Sequence, residues 1–340
     1  MATLDTYLGD YLPTQAHSAP VRTLNGAGRF VRTKPLGAFG ALMLVLIVVV
    51  GVFSPWIAPD SLGEAHFSDS LEGPFAERSA PDSGRYWFGT DQNGRDIYSR
   101  IVYGCQVTAL VGVGTVLLVS LLSLLVGVSS GYFGGRFDFL VQRVVDVWLS
   151  FPAIFLILTL VAVLNPGTNT GGGFFGLGRG PDVGPDPNGG PWIWNTLPRT
   201  TIVILALGLV LAGGASRVVR SAVFATRANP YIEAATVLGA SNFRIILRHV
   251  LPNILPTVIV LATVQLGVAI LAEATISFLG VGITNFPTWG QMLSARRDLF
   301  ENHLHLALFP GIAIFLAVFG FNMLGDALRD VLDPRLRGSR

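Results

Sequence analysis

Six long runs without Asp, Glu, Lys or Arg limit what this 340-residue chain can fold into. They are Leu36–Ala58, Ile101–Gly135, Val147–Pro166, Thr200–Ser216, Val250–Ala272 and Leu304–Gly325, the last holding His305 near one end. A helix needs ~20 apolar residues to cross the hydrocarbon core of a bilayer. No water is available there, so every backbone N–H and C=O must be paired within the protein, and a helix does this inside one segment. The alternating pattern of a barrel strand is absent. The expected fold class is an all-α membrane protein with six transmembrane helices.

Composition removes the competing classes. The chain is 51% hydrophobic and 13% charged, with mean hydropathy +0.57, against about 25% charged residues in a soluble domain. A water-soluble enzyme cannot hide that much apolar surface, and a disordered chain would not contain it. A net charge of +2 gives no basic field for nucleic acid. The single cysteine, Cys105, can form no internal disulfide and no Cys-based metal cluster. A phosphate-cradling P-loop needs Gly-x4-Gly-Lys-Ser/Thr. The one lysine, Lys34, is followed by Pro35, so no Walker-type ATPase site is expected, and no catalytic residue and no metal site are assigned.

Arg and Lys set the expected orientation. With the N-terminus cytoplasmic, the inner segments 1–35, 131–146, 217–249 and 326–340 carry 15 of the 23 basic residues. The outer segments 59–100, 165–199 and 276–303 carry the other 8. Both ends are therefore expected inside. The first run follows a polar tail of 35 residues and lacks a cleavage context, so it reads as an uncleaved anchor.

Arg217–Pro252 is too charged to face lipid, yet it is patterned as helix. Arg217, Arg220 and Arg227 extend the fourth run at helical spacing. Asn229-Pro230 breaks the chain, with Asn as N-cap and Pro at the first helical position. Glu233 falls in or just after the first turn, and Gly239 supplies a residue with φ above zero. Phe243, Ile246, Leu247, Val250 and Leu251 share one face of a second amphipathic helix, with Arg244 and Arg248 opposite and Pro252 marking the return to the membrane. Two short helices lying parallel to the membrane are expected, for a cytoplasmic partner or for the lipid headgroups.

Glu233-Ala234-Ala235-x3-Gly239-x9-His249-Val250-Leu251-Pro252 resembles the EAA loop of ATP-binding-cassette importer permeases. The resemblance runs from Lys34-Pro35-Leu36 to Asp333-Pro334-Arg335-Leu336-Arg337. It includes Phe88-Gly89-Thr90-Asp91-x2-Gly94-Arg95-Asp96, Gly131-Tyr132-Phe133-Gly134-Gly135, Ser277-Phe278-Leu279-Gly280-Val281-Gly282 and Phe309-Pro310-Gly311. Together these motifs are similar to the C-type permease of the dipeptide/oligopeptide/nickel group. The resemblance implies a type I importer core at 101–325, an extra N-terminal anchor at 36–58, and cytoplasmic tails at 1–35 and 326–340. It implies a bacterial plasma membrane location. The implied partners are a homologous second permease, two cytoplasmic ATPases that hold ATP and Mg, and an extracytoplasmic binding protein. Glu233, Ala234, Ala235, Gly239, Leu251 and Pro252 are the implied coupling residues. Peptides are the leading cargo; relatives with these motifs also carry nickel chelates and oligosaccharides. An ion-driven secondary transporter fits less well, because the runs hold few charges.

Several residues carry a second reading. Gly89, Thr90, Asp91, Gly94, Arg95 and Asp96 form an outer motif, read as a capped turn leading into an interfacial helix at Ile97–Tyr103 or as a latch beside an outer gate. The family commonly has Arg where this chain has Gln106. Glu273, near the outer end of the fifth run, is a candidate for the translocation path or a cap of the Thr275–Gly282 turn. Gly127-x-Ser129-x-Gly131 matches a nucleophile elbow, but no strand precedes it. Gly127, Gly131 and Gly135 instead suit close helix packing. His303 and His305 read as interfacial rather than metal-binding. Residues 165–199 are Gly/Pro-rich, end near the interfacial pair Trp192 and Trp194, and read as an outer linker or a receptor contact.

Overall fold

A computed structural model describes residues 31–79, 84–164, 192–283, 286–294 and 299–332. Helix α1 (Pro35–Val52) opens on a proline in its first turn, and the short α2 (Ser54–Ile57) follows a break at Phe53. A two-stranded antiparallel hairpin, β1 (Ala76–Glu77) and β2 (Arg85–Tyr86), precedes the 37-residue α3 (Ile97–Phe133). Then come α4 (Gly135–Ser150), α5 (Ala153–Leu164), α6 (Trp192–Arg227), α7 (Pro230–Val237) and α8 (Asn242–Ile245). A five-residue π-turn, Ile246–Val250, leads into α9 (Leu251–Phe278), followed by α10 (Trp289–Ser294) and α11 (His305–Leu332). Among the described residues, five helices are long and apolar enough to cross a membrane, or six when the bent pair α4–α5 is counted as one broken span.

The third crossing is not the single helix expected over Val147–Pro166. Its two halves meet at 88°. Pro152 sits in the break: it lacks an N–H, and its ring disfavours helical backbone at Phe151, which is extended (φ −82°, ψ 135°). Residues 192–199, expected within an outer linker, are helical as the start of α6, while 165–191 lie outside the described residues.

Small residues set the helix packing. A Cβ placed on Gly127 would meet the Val219 side chain at 2.8 Å, and one on Gly131 would meet Val223 at 2.9 Å. Further along the same seam, Gly114 faces Ile204 and Gly208 faces Leu118. The paired numbers rise together, so α3 and α6 run parallel and in close contact. Gly135 departs from the expected stripe: it lies beyond the end of α3 at φ +55°, with nothing within 4 Å of its Cβ direction. Ser129 lies within α3 and donates to the Leu125 carbonyl at 2.6 Å, so the Gly127–Gly131 run is helix and not a strand-to-helix elbow. Helix α1 runs antiparallel to α11, where Lys34 Nζ lies 2.6 Å from Asp330 Oδ2 and Gly40 abuts Leu324. The Lys34 and Leu332 ends of these helices are therefore on one side of the bundle.

The opposite side carries a cap, residues 59–79 and 84–100. Asp96 begins α3 by accepting from the Ser99 N–H at 3.0 Å and the Ser99 hydroxyl at 2.6 Å. The helix expected at Ile97–Tyr103 is no separate interfacial element; it is the first turns of α3. Asp91 closes a turn by accepting from the Asn93 N–H at 2.8 Å and from Arg95 Nε at 2.8 Å. Thr90 donates to the Asp69 carbonyl at 2.5 Å and accepts from the Glu72 N–H at 2.9 Å. Gly89 (φ +81°) and Gly94 (φ +70°) sit where an L side chain is strained. The Phe88 ring stacks on Phe309 of α11 at 4.1 Å, which fastens cap to bundle. Gln106 donates to Ser54 across the α2–α3 contact, and its buried carbonyl oxygen finds no partner among the described residues.

Buried Asp69 organises the hairpin. It accepts from the Ser79 N–H at 3.1 Å, the Tyr86 hydroxyl at 2.9 Å and the Ser68 hydroxyl at 3.0 Å. Donors on Ser79 foremost, helped by Tyr86 and Ser68, outweigh burial and hold its carboxyl well below the ordinary 3.8. Burial, and then the bond to Asp69, push the Tyr86 hydroxyl up.

Two outcomes follow. Gly131→Leu forces α3 from α6 and lowers the detergent melting temperature and the folded yield sharply, whereas Gly135→Ala costs about 1 kcal/mol through backbone strain alone; similar losses in a thermal-shift assay would contradict the packing. Because the folded Asp69 carboxyl titrates below 3.8, its contribution is present above that pH and fades as pH falls below it. The protection factors of the cap amides, taken relative to intrinsic exchange at each pH, should therefore fall in acid in the wild type. Asp69→Asn should start less protected and lose that acid limb.

Candidate functional site: the elbow between α6 and α9

At the end opposite the cap, α6 continues as helix past its apolar stretch to Arg227. Its arginines are tied to α4 by charge. Arg220 pairs with Asp138, and Arg217 pairs with Asp146. Asp138 also accepts from Ser130 of α3, and Gln142 Nε2 donates to the Ser130 oxygen at 3.0 Å. The Arg227 guanidinium lies 5.8 Å over the Tyr132 ring, and the Tyr132 hydroxyl donates to Asn242 Oδ1 at 3.1 Å. The root of the elbow is thus joined to three helices. Asp138 and Asp146, eight residues apart on an amphipathic helix, were a legible signal for this clamp that the sequence reading passed over.

Asn229 does not cap α7 through its side chain. Its Nδ2 donates back to the Thr226 carbonyl at 2.9 Å and so closes the end of α6. Pro230 then opens α7, and Glu233 stands in the first turn, where the helix dipole favours a carboxylate. Ile232 is the buried anchor of α7, packed among Val128, Tyr132, Val219, Val223, Ile245 and Ile254. Glu233 and Ala234 are exposed, and Ala235 is half-buried. Gly239 has φ +80°, with its N–H donating to the Thr236 carbonyl at 3.0 Å while Ala240 donates to Ala235 at 3.1 Å. Nothing lies within 4 Å of a Cβ placed on Gly239, so conformation alone requires glycine there.

The second elbow helix differs from expectation. It is not a separate element ending at Pro252: α8, the π-turn and α9 form one continuous path into the membrane. Leu251 donates to Ile246, five residues back, and the wider turn makes room for the Pro252 ring. The extra residue also shifts the buried face. Ile245, Val250, Ile254 and Val258 point inward, whereas Phe243 and Leu247 of the expected apolar face are exposed. Leu251 is half-buried and Pro252 exposed.

The elbow therefore presents an apolar tip. Val237 is 82% exposed, Leu238 87% and Phe243 72%. Exposed Glu233 makes no ion pair or hydrogen bond among the described residues. Covering Val237 and Leu238 would contribute about 2 kcal/mol each, so the exposed apolar cluster beside a carboxylate is a candidate interaction surface.

The other candidate residues lie elsewhere. The Gly89–Asp96 motif is in the cap. Glu273 is 3% exposed near the cap end of α9, where it accepts from the Ser277 hydroxyl at 2.7 Å and bonds the Thr288 side chain. His303 and His305 stack edge to face at 5.9 Å, and His305 Nε2 lies 3.4 Å from the Thr90 carbonyl.

Comparisons with known proteins agree with this anatomy. Residues 123–338 match the family described as binding-protein-dependent transport system inner membrane component. The chain is 34% identical to the dipeptide transport system permease protein DppC of Alkalihalophilus pseudofirmus, over 96% of this chain and 94% of that relative. It is 34% identical to the glutathione transport system permease protein GsiD of Escherichia coli, over 91% and 90% of the two chains. It is 33% identical to the probable D,D-dipeptide transport system permease protein DdpC of Escherichia coli K12, over 91% of each. The chain belongs to the family of binding-protein-dependent transport system inner membrane components.

Proposed function

We propose that this chain is the C-type permease subunit of an ATP-driven peptide importer, and that its elbow is where a cytoplasmic ATPase grips it. The exposed Val237, Leu238 and Phe243 beside unpaired Glu233 carry the reading. The glycine turn at Gly239 displays them, and a single helical path runs from Phe243 into α9. A push on this tip passes into α9, and reaches α4 through the Arg220–Asp138 and Arg217–Asp146 pairs and α3 through the Ser130–Asp138 hydrogen bond. In this reading Glu233 meets cationic or donor groups in the ATPase cleft. ATP and Mg belong to two such subunits, a homologous permease completes the path, and an extracytoplasmic binding protein delivers cargo. Transport is then alternating access: nucleotide binding at the partners shifts the inward/outward equilibrium of the permease pair.

Peptide cargo is supported by relatives whose names specify dipeptide, glutathione and D,D-dipeptide transport. The elbow side is assigned to the cytoplasm, and with it the chain ends, because that side carries 15 of the 23 basic residues. The cap then faces outward, where a receptor arrives.

In a reconstituted complex, Glu233→Ala should assemble but lose most receptor-stimulated ATP hydrolysis and peptide uptake. Gly239→Val, which strains the turn without a clash, should do the same. Unaltered coupling in both assembled variants would overturn the assignment.

A further inference from the structure

The break between α4 and α5 opens a cavity of about 350 Å³. Trp148, Phe151 and Ala153 line it from the break, Gly214 and Ala215 from α6, and Gln265 from α9. Gln265 stands 14 residues after Leu251 and 13 before Phe278, halfway along a membrane-crossing helix. Among the described residues its carboxamide has no hydrogen-bond partner. An unpaired amide in hydrocarbon is costly, and polar side chains at that depth face a cavity or another polar group. The α6 wall is cut back to admit one: nothing lies within 4 Å of a Cβ placed on Gly214. Trp148 is held in place, its indole N–H donating to the Leu209 carbonyl at 3.2 Å. Broken helices in transporters mark the places where backbone and solute meet.

Resting on the importer reading above, we infer that this cavity is a solute contact on the translocation path, where Gln265 pairs with the main-chain amides of a passing peptide. A carboxamide offers one acceptor and two donors, so it matches a peptide bond in either direction and needs no particular side chain. The surrounding wall is apolar and tolerant of varied side chains. Glu273, the carboxylate of the same helix, is sealed by Ser277 and Thr288, whereas Gln265 lines the cavity.

Two arms test this in the full complex in proteoliposomes. Gly214→Cys introduces a thiol into the cavity, while the native Cys105 is buried. A water-soluble methanethiosulfonate reagent should label the new thiol, and trialanine supplied with the binding protein should slow the labelling. No labelling means that lipid or a partner helix fills the cavity, and the inference falls. In the second arm, Gln265→Leu should lower the maximal uptake rate of trialanine by about 5- to 10-fold, the loss of one hydrogen bond. Basal ATP hydrolysis should hold, and Gln265→Asn should restore part of the uptake. Equal uptake by wild type and Gln265→Leu overturns the role of Gln265. A wild-type complex that imports neither dialanine nor trialanine overturns the peptide reading instead, and labelling of Gly214→Cys still decides whether the cavity is wet.

Discussion

Close approach of α3 and α6 is the contact on which the rest of the molecule is built. Lipid offers no hydrophobic drive between helices, so packing depends on how near the backbones can come. Gly114, Gly127 and Gly131 on one helix and Gly208 on the other remove the side chains that would hold them apart. A 37-residue helix is about 55 Å long, well beyond a hydrocarbon core of ~30 Å. The cap is built on one protruding end of α3, and the elbow is rooted beside the other. The seam thus turns two sequence-distant structures into opposite ends of one rigid unit.

In the proposed importer that arrangement separates the energy source from the cargo: the sequence holds no Gly-x4-Gly-Lys-Ser/Thr motif, and the elbow is the proposed grip for a partner that does. Its rigidity comes from ordinary chemistry: a left-handed glycine, buried Ile232, and Arg–Asp pairs to α4. The pairs are only partly buried, so each contributes little in isolation; together they tie α6 to α4. The broken third crossing is the pliable counterpart, since α4 and α5 lack a continuous ladder of hydrogen bonds at Phe151-Pro152.

Much of this was legible in the residues. Apolar runs gave the number of crossings, Gly239 gave the turn, and the EAA pattern gave the family. The failures share a cause, which is that neighbours outside the local sequence decided the outcome. Val147–Pro166 reads as one span because hydropathy ignores the angle at Pro152. Phe243 and Leu247 read as an inward face because helical periodicity assumes 3.6 residues per turn, and the π-turn adds one. Asn229 reads as a cap for the following helix, yet the open carbonyls of the preceding helix were nearer. Asp138 and Asp146 are visible as acids on one amphipathic helix, but their arginine partners, like the open surroundings of Gln265, appear only when helices are placed side by side.

The central claim is that the elbow tip is held by a nucleotide-burning subunit. A photo-crosslinking amino acid placed at Leu238 in the intact importer addresses this most directly. The account predicts a strong adduct with an ATPase subunit, altered in yield when nucleotide is bound. Adducts with lipid alone, or with a protein on the receptor side of the membrane, would contradict it.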